Sequence, residues 1–175
     1  RRVAVHGAGV PTPGRIIGSR GVLPLDRFRR VVDINLVGTF NVLSHAASLM
    51  ADNDPEDGDR GIVVCTASIA AYDGQIGQAA YAASKGGVVS LTLSAARDLA
   101  DKAVRVVTVA PGLFDTPLMA GLPGKARTAL EASVPHPSRL GAPDEFAALV
   151  EHAIGNPMLN GCVIRLDGSL RMAPR

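Results

Sequence analysis

Two apolar runs separated by one long helical segment constrain the fold of this chain more than any other feature. Residues 62–67 read IVVCTA and residues 104–110 read VRVVTVA. Runs of this kind are typical of strands buried on both faces of a parallel sheet. The segment between them, residues 78–101, is rich in Ala, Ser and Leu and predicts a helix. Strand, helix and strand in this order predict a parallel βαβ unit with a right-handed crossover.

The rest of the chain continues this alternation of strands and helices. Asp26 is the candidate N-cap of the first helix. Because no internal repeat or linker divides the chain, we expect one α/β domain over residues 1–175. The pattern predicts strands over 3–5 and 163–166, helices over 25–50 and 143–154, a loop over 11–24 and a loosely helical segment over 117–137.

Composition restricts the class of protein. Hydrophobic residues make up 47% of the chain and charged residues 19%, which indicates a globular protein rather than a disordered one. A net charge of +2, scattered arginines and the absence of Trp argue against a surface that binds nucleic acid. No apolar run reaches the ~18 residues that a membrane span requires, so we expect no membrane segment.

The two cysteines and four histidines offer no metal site. Cys65 and Cys162 stand in separate apolar segments, and neither has a partner at the spacing of metal ligands. Unpaired thiols in apolar segments are typical of a reducing environment, so the sequence predicts a cytoplasmic protein.

A serine, a tyrosine and a lysine carry the strongest functional signal. Tyr81 and Lys85 stand one helical turn apart, on one face of the predicted helix. Ser68 follows the preceding strand, at the edge of a parallel sheet where ligands bind. The lysine cation would lower the pKa of the tyrosine, and the serine hydroxyl would hold a substrate oxygen. This set suits hydride transfer between an alcohol or ketone and a nicotinamide, although Tyr-x-x-x-Lys alone also fits a solvated helical face.

The spacing of these three residues resembles the signature of the short-chain dehydrogenase/reductase family. Residues 7–9 (GAG) are similar to a strand end of that family, and Asn35 is similar to its helix asparagine. Residues 111–112 (PG) with Thr116 resemble its nicotinamide-side loop. The resemblance covers the whole chain. It implies a Rossmann-like α/β fold, a doubly wound parallel sheet with helices on both faces, of which this chain would form the C-terminal two-thirds.

The resemblance also implies a role for each matching residue. Tyr81 would be the catalytic acid/base, Lys85 would lower its pKa and bind the cofactor ribose, and Ser68 would bind the substrate oxygen. Asn35 would hold a water in a proton relay, or would serve only as a polar residue at a helix kink. Thr116 would hydrogen-bond the cofactor, or would cap the helix that follows. The implied cofactor-binding set is Gly7, Ala8, Gly9, Tyr81, Lys85, Pro111, Gly112, Leu113, Phe114 and Thr116.

A narrower resemblance, to the branch of type II 3-hydroxyacyl-CoA dehydrogenases, suggests a substrate. The branch implies NAD as cofactor, with NADP left open, and a small-molecule substrate of the acyl-CoA or hydroxysteroid kind. Gln75 and Gln78 precede Tyr81 and are candidate substrate contacts, unless they only solvate their loop. The family resemblance also implies a homotetramer. The segments that carry the narrower resemblance are residues 74–81, 110–117, 135–141 and 160–172.

Two departures from the family pattern leave other functions open. His6 stands where the family has asparagine, and the first βα units with the glycine-rich phosphate loop are absent from this sequence. We therefore expect the chain to belong to a longer protein and, alone, to bind a nicotinamide cofactor poorly. The alternatives are a 3-oxoacyl carrier-protein reductase that uses NADPH, and a truncated non-catalytic module that only assembles with partners.

Overall fold

A computed structural model describes residues 2–117 and 123–174 of the chain. Four strands form its central sheet, and every neighbouring pair runs parallel. The predicted parallel sheet with helical crossovers is therefore confirmed. The strands lie side by side in the order β1 (Val3–His6), β4 (Gly61–Thr66), β5 (Val104–Pro111) and β6 (Val163–Leu166).

Helices cover both faces of this sheet, because successive strand residues point to opposite sides. Val63 and Val106 pack into one apolar cluster with residues of α2 (Gly38–Ala51) and α3 (Ala79–Asp98). Val64 and Val107 pack into a second cluster with residues of α5 (Pro143–Gly155). All four valines are fully buried, so the apolar runs form the centre of the molecule. The helices are α1 (Leu25–Val32), α2 (Gly38–Ala51), α3 (Ala79–Asp98), α4 (Gly124–Ser133) and α5 (Pro143–Gly155).

The first predicted helix differs from the observed one in two respects. A π-helical turn, Asp33–Val37, separates α1 from α2, so residues 25–50 do not form one regular α-helix. Asp26 lies in the first turn of α1 and is not its N-cap. The cap position is Pro24, whose carbonyl accepts a hydrogen bond from the amide of Arg27 at 3.1 Å. The spacing of apolar residues did not reveal the π turn, whose buried residue is Asn35.

Smaller differences concern the connections. The predicted loop over 11–24 contains a short antiparallel ladder of β2 (Ile17–Gly18) and β3 (Gly21–Val22). Gly21 has a φ of +93°, a conformation that glycine adopts without strain, and it allows the tight turn between these strands.

Two helical predictions need adjusted ends. The helix expected over 78–101 ends at Asp98, and a short 3-10 turn, Ala100–Lys102, follows it. The loosely helical region over 117–137 contains α4, whereas residues 118–122 lie outside the described part of the chain. No described helix is long and apolar enough to cross a bilayer.

Candidate active site

A cavity of about 530 Å³ lies at the carboxyl ends of the strands. A parallel sheet gathers the loops after its strands at this edge, which is where ligands bind in open α/β folds. We divide most of its lining into two named groups. The α3 wall consists of Thr66, Ser68, Ile69, Ala70, Gln78 and Tyr81. The β5 wall consists of Pro111, Gly112, Leu113, Phe114, Thr116, Pro143, Phe146 and Met172.

Ser68 is positioned by the loop after β4. Its backbone is extended, and its hydroxyl oxygen accepts a hydrogen bond from the amide of Ala70 at 3.1 Å. This bond caps the short 3-10 turn Ile69–Ala71. Since the oxygen acts as acceptor here, the hydroxyl proton can be donated to an oxygen in the cavity.

Tyr81 lies in the first turn of α3, and its side chain lines the cavity. Burial raises the pKa of the phenol above its ordinary value of 10, and a hydrogen bond with Ser68 acts in the opposite direction. The expectation that Lys85 brings this pKa down is not met in this structure. The physical reason is desolvation, because the phenolate loses more hydration than its neighbours restore.

Lys85 is almost completely buried, with 3% of its surface exposed. Its ammonium donates to the backbone carbonyl of Thr66 at 2.7 Å and lies 5.9 Å from the centre of the Tyr81 ring. Burial lowers the pKa of Lys85 to about 8, and the thiol of Cys65 acts weakly in the opposite direction. The lysine is therefore cationic at pH 7, yet loses its proton at a far lower pH than an exposed lysine.

The side chain of Asn35 bonds to the protein itself. Its Oδ1 accepts from the amide of Val10 at 2.8 Å, and its Nδ2 donates to the carbonyl of Val10 at 3.1 Å. Nδ2 also donates to Oγ of Ser84 at 3.0 Å. Gly9 fits closely beside this group, since a Cβ at that position would lie 3.2 Å from Oδ1 of Asn35. The asparagine thus links the glycine turn after β1 to helix α3.

His6, the departure from the family pattern, belongs to the same network. Its Nδ1 lies 3.3 Å from Oγ1 of Thr39, and the threonine hydroxyl donates to the carbonyl of Asn35 at 2.6 Å. Because that hydroxyl has only one proton, Nδ1 of His6 carries the hydrogen between these two atoms. Burial, and then the charge of Lys85, lower the pKa of His6, so its imidazole is neutral at pH 7.

The β5 wall is built from close apolar contacts. Phe114 and Phe146 pack edge to face, with ring centres 6.2 Å apart and an interplanar angle of 88°. Gly141 makes room for this arrangement, since a Cβ there would lie 2.7 Å from the Phe114 ring. Gly112 likewise lies against Asp167, where a Cβ would approach to 2.9 Å. Glycine at these two positions allows the loop after β5 to pack tightly.

The structure brings most of the predicted site residues to the cavity, but not all of them. Gln78 lines the cavity, whereas Nε2 of Gln75 donates to the carbonyl of Ala173 at 3.0 Å and holds the C-terminal tail. The predicted residues that line the cavity are Gly7, Ser68, Gln78, Tyr81, Pro111, Gly112, Leu113, Phe114 and Thr116. The predicted residues outside its lining are Ala8, Gly9, Asn35, Gln75 and Lys85.

Sequence analysis missed eight lining residues: Val5, Pro11, Thr66, Ile69, Ala70, Pro143, Phe146 and Met172. All of them except Thr66 are apolar, and an apolar residue that lines a cavity has the same sequence signature as a core residue. Thr66 stands two residues before Ser68, and this period-two spacing could have identified it as a neighbour on the same face of the strand. Within residues 2–117 and 123–174, no three His, Cys, Asp or Glu side chains gather as a metal site.

Comparison with known proteins gives consistent results. A family model described as short chain dehydrogenase matches residues 3–126, more than half of the chain. A 3-hydroxyacyl-CoA dehydrogenase type-2 of Drosophila melanogaster is 58% identical over 151 residues, which cover 86% of this chain and 59% of that protein. The protein of the same name from Homo sapiens is 52% identical over 175 residues, covering 98% of this chain and 67% of its own length.

A solved structure shows the same fold. The crystal structure of 3-hydroxyacyl-CoA dehydrogenase type-2 from Mycobacterium avium superposes with a TM-score of 0.96 at 44% identity. The match covers 99% of this chain and 69% of that chain. Across these three proteins, the present chain spans from 59% to 69% of their length.

Proposed function

The chain belongs to the short-chain dehydrogenase family, and we propose that it oxidises the secondary alcohol of a 3-hydroxyacyl thioester, with NAD as hydride acceptor. The observation that carries the proposal is the meeting of Ser68 and Tyr81 at one cavity, with Lys85 buried one turn further along α3. The substrate class is supported by the three similar proteins, each named 3-hydroxyacyl-CoA dehydrogenase type-2.

The residues around the cavity suit the nicotinamide half of such a cofactor. A volume of about 530 Å³ is within the range of small-molecule sites. The glycine turn after β1 packs directly against Lys85, since a Cβ at Gly9 would lie 3.5 Å from its Nζ. Lys85 and Tyr81 would hold the ribose, and residues 111–114 with Thr116 would hold the nicotinamide. When bound, the nicotinamide supplies the acceptor for the hydride.

Tyr81 and Ser68 divide the work on the substrate oxygen. The phenolate of Tyr81 takes the proton of the substrate hydroxyl, while the hydroxyl of Ser68 donates to the same oxygen. The hydrogen bond with Ser68 favours the phenolate against the effect of burial. Since the pKa of Tyr81 is raised, the rate of oxidation should increase with pH above neutrality.

Gln78 and Asn35 have supporting roles in this proposal. Gln78 lines the cavity one turn before Tyr81 and would contact the substrate. The backbone carbonyl of Asn35 accepts a hydrogen bond from Thr39 with one lone pair. In the proposed proton relay, this carbonyl would also bind the relay water.

We further propose that these residues act as one catalytic domain that assembles as a homotetramer in the cytoplasm. Support comes from a groove of about 470 Å³ between α2 and α3. Phe40 in this groove has 53% of its surface exposed, although it is a large apolar side chain. The apolar residues that line the groove are Phe40, Leu43, Ala47, Ala51, Leu91, Ala95 and Leu99.

The decisive experiment follows NADH formation from NAD and 3-hydroxybutyryl-CoA. We expect Tyr81→Phe to lower kcat/KM by roughly 100- to 10,000-fold, the usual contribution of a general acid/base. The matched control is Tyr72→Phe, because Tyr72 is the second of the two tyrosines and its ring packs on Arg165 instead of lining the cavity. Absence of turnover in the wild type at saturating NAD, or unchanged turnover in Tyr81→Phe, would contradict the proposal. Faster turnover with NADP than with NAD would favour the reductase alternative.

A further inference from the structure

An ion pair on the β5 wall has no part in the proposed reaction. Asp115 stands between Phe114 and Thr116, both of which line the cavity. The guanidinium of Arg127, on helix α4, donates to both carboxylate oxygens of Asp115, from Nη1 at 2.9 Å and from Nη2 at 2.8 Å. We call this bidentate pair the Asp115–Arg127 clamp. Its side chains are 47% and 36% exposed, so solvent and salt reach it.

Backbone hydrogen bonds hold the same segment from the other side. The amide of Asp115 donates to the carbonyl of Gly141 at 2.8 Å, and the amide of Gly141 donates to the carbonyl of Leu113 at 2.9 Å. Phe114 is thereby held over Gly141 and against Phe146. The clamp adds a second attachment, between this segment and α4, twelve residues further along the chain.

Arg127 is itself oriented by its own helix. Its Nε donates to Oε1 of Glu131, one turn further along α4, at 3.0 Å. The planar guanidinium is therefore fixed by a carboxylate on each side, which favours the two parallel hydrogen bonds to Asp115. Those bonds lower the pKa of the Asp115 carboxyl, so the clamp is charged on both sides throughout the neutral pH range.

We propose that the Asp115–Arg127 clamp is a positioning device for the substrate. It holds Phe114 and Thr116, which border the cavity beside the proposed nicotinamide site, in a fixed orientation, so substrate affinity depends on the clamp while the chemical step does not. The inference rests on the proposed function, which places the reacting groups on the α3 wall. Ser68 and Lys85 are positioned by hydrogen bonds to the backbone of residues 66–70, without a contribution from α4.

The test compares Asp115→Asn, Arg127→Gln and the double variant with the wild type. The substrate is the N-acetylcysteamine thioester of 3-hydroxybutyrate, which is uncharged, so that salt cannot act on substrate phosphates. We expect either single variant to raise KM by about three- to ten-fold with kcat within two-fold, and the double variant to be no worse than either single one. Salt should raise the KM of the wild type and leave that of Asp115→Asn nearly constant, because salt screens exposed charges.

Two further variants serve as controls. Asp101→Asn removes another exposed ion pair, Asp101 with Lys102. This pair precedes the amino end of β5, whereas the cavity lies at the carboxyl ends of the strands. Asp101→Asn should change neither KM nor kcat. Glu131→Gln removes the second partner of Arg127 and should raise KM less than Asp115→Asn.

A second measurement does not depend on turnover. Hydrogen–deuterium exchange of the peptide over residues 111–117 should be faster in Asp115→Asn than in the wild type, and unchanged in Asp101→Asn. Unchanged exchange, multiplicative effects in the double variant, or a fall in kcat at constant KM would each overturn the inference. A wild type without turnover would refute only the proposed function, since the exchange experiment would still decide whether the clamp holds this segment.

Discussion

The two walls of the cavity are stabilised by different kinds of interaction. The α3 wall is supported by buried hydrogen bonds to backbone atoms, such as the one from Lys85, which does not itself line the cavity, to the carbonyl of Thr66. The β5 wall consists of apolar contacts fixed at the surface by ion pairs, such as Arg139 with Glu145, whose side chains are 50% and 44% exposed. Buried hydrogen bonds are shielded from solvent and salt, whereas exposed ion pairs respond to both. We therefore expect substitutions that disturb the α3 wall to change the rate of the chemical step, and substitutions that disturb the β5 wall to change substrate affinity.

Substitution of Lys85 should produce the largest effect, because it removes the buried charge that supports the α3 wall. We expect Lys85→Met to lower kcat/KM by roughly 100-fold or more. The same change should raise the free energy of unfolding by about 2 kcal/mol at pH 7, since the pKa of about 8 reflects an ammonium held where it is poorly solvated. Loss of activity together with a gain in stability would show that the buried charge of Lys85 lowers the stability of the folded protein and is kept for function.

The pH dependence of that stability checks its origin. Below about pH 8, Lys85 is charged in both the folded and the unfolded protein, so the cost is constant. Between about 8 and the ordinary value of 10.5 the folded protein holds fewer protons, and wild-type stability rises with pH. Urea unfolding at pH 7 and pH 9.5 should therefore show a narrowing gap between the variant and the wild type. Lys102→Met, at an exposed lysine, is the control, and an equal gain there would refute the explanation.

Substitution of Phe114 should have a smaller effect and should act on affinity. Phe114→Leu removes the edge-to-face contact with Phe146. We expect the KM for the thioester substrate to rise about five-fold, with kcat within two-fold of the wild type. The matched control is Phe28→Leu on α1, because Phe28 does not line the cavity. Steady-state kinetics separates the two parameters. A fall in kcat larger than the rise in KM would mean that the β5 wall takes part in the chemistry.

The smallest effect is expected at His6. Asn at this position also offers a hydrogen-bond donor to Thr39, so His6→Asn should keep turnover within two-fold at pH 8. Because burial lowers the pKa of His6, protonation favours the unfolded wild type as pH falls below the ordinary value of 6.5. The melting temperature of the wild type should therefore fall relative to the variant between pH 8 and pH 5. If the melting temperatures of the wild type and of His6→Asn changed equally with pH, His6 would not titrate in this way.

The sequence predicted the strands and helices well because their signals are local. The apolar runs around Val63 and Val106 have the composition of doubly buried strands, and both lie at the centre of the sheet. Tyr81 and Lys85 could be placed on one helical face from their spacing alone. The π turn at Asp33–Val37 could not be predicted, since its inserted residue depends on packing against Val10 and Ser84.

The direction in which a side chain points, and the groups that surround it, depended on tertiary structure. Gln75 and Gln78 look alike in the sequence, yet one binds the C-terminal tail and the other lines the cavity. The pKa of Tyr81 moved opposite to the expectation, because burial depends on every element that covers the phenol.

Residue patterns alone predicted the parallel α/β sheet, placed Ser68 and Tyr81 at one edge of it, and put Lys85 one helical turn after Tyr81. Periodicity and motif spacing are properties of residues close together in the chain. The regular geometry of a helix or strand then fixes the face on which each of these residues lies. The way in which the β5 wall closes the cavity, and the contact of Asp115 with Arg127, became visible in the folded chain alone. Those contacts join residues brought together by packing of the whole chain, and no local pattern encodes such a meeting.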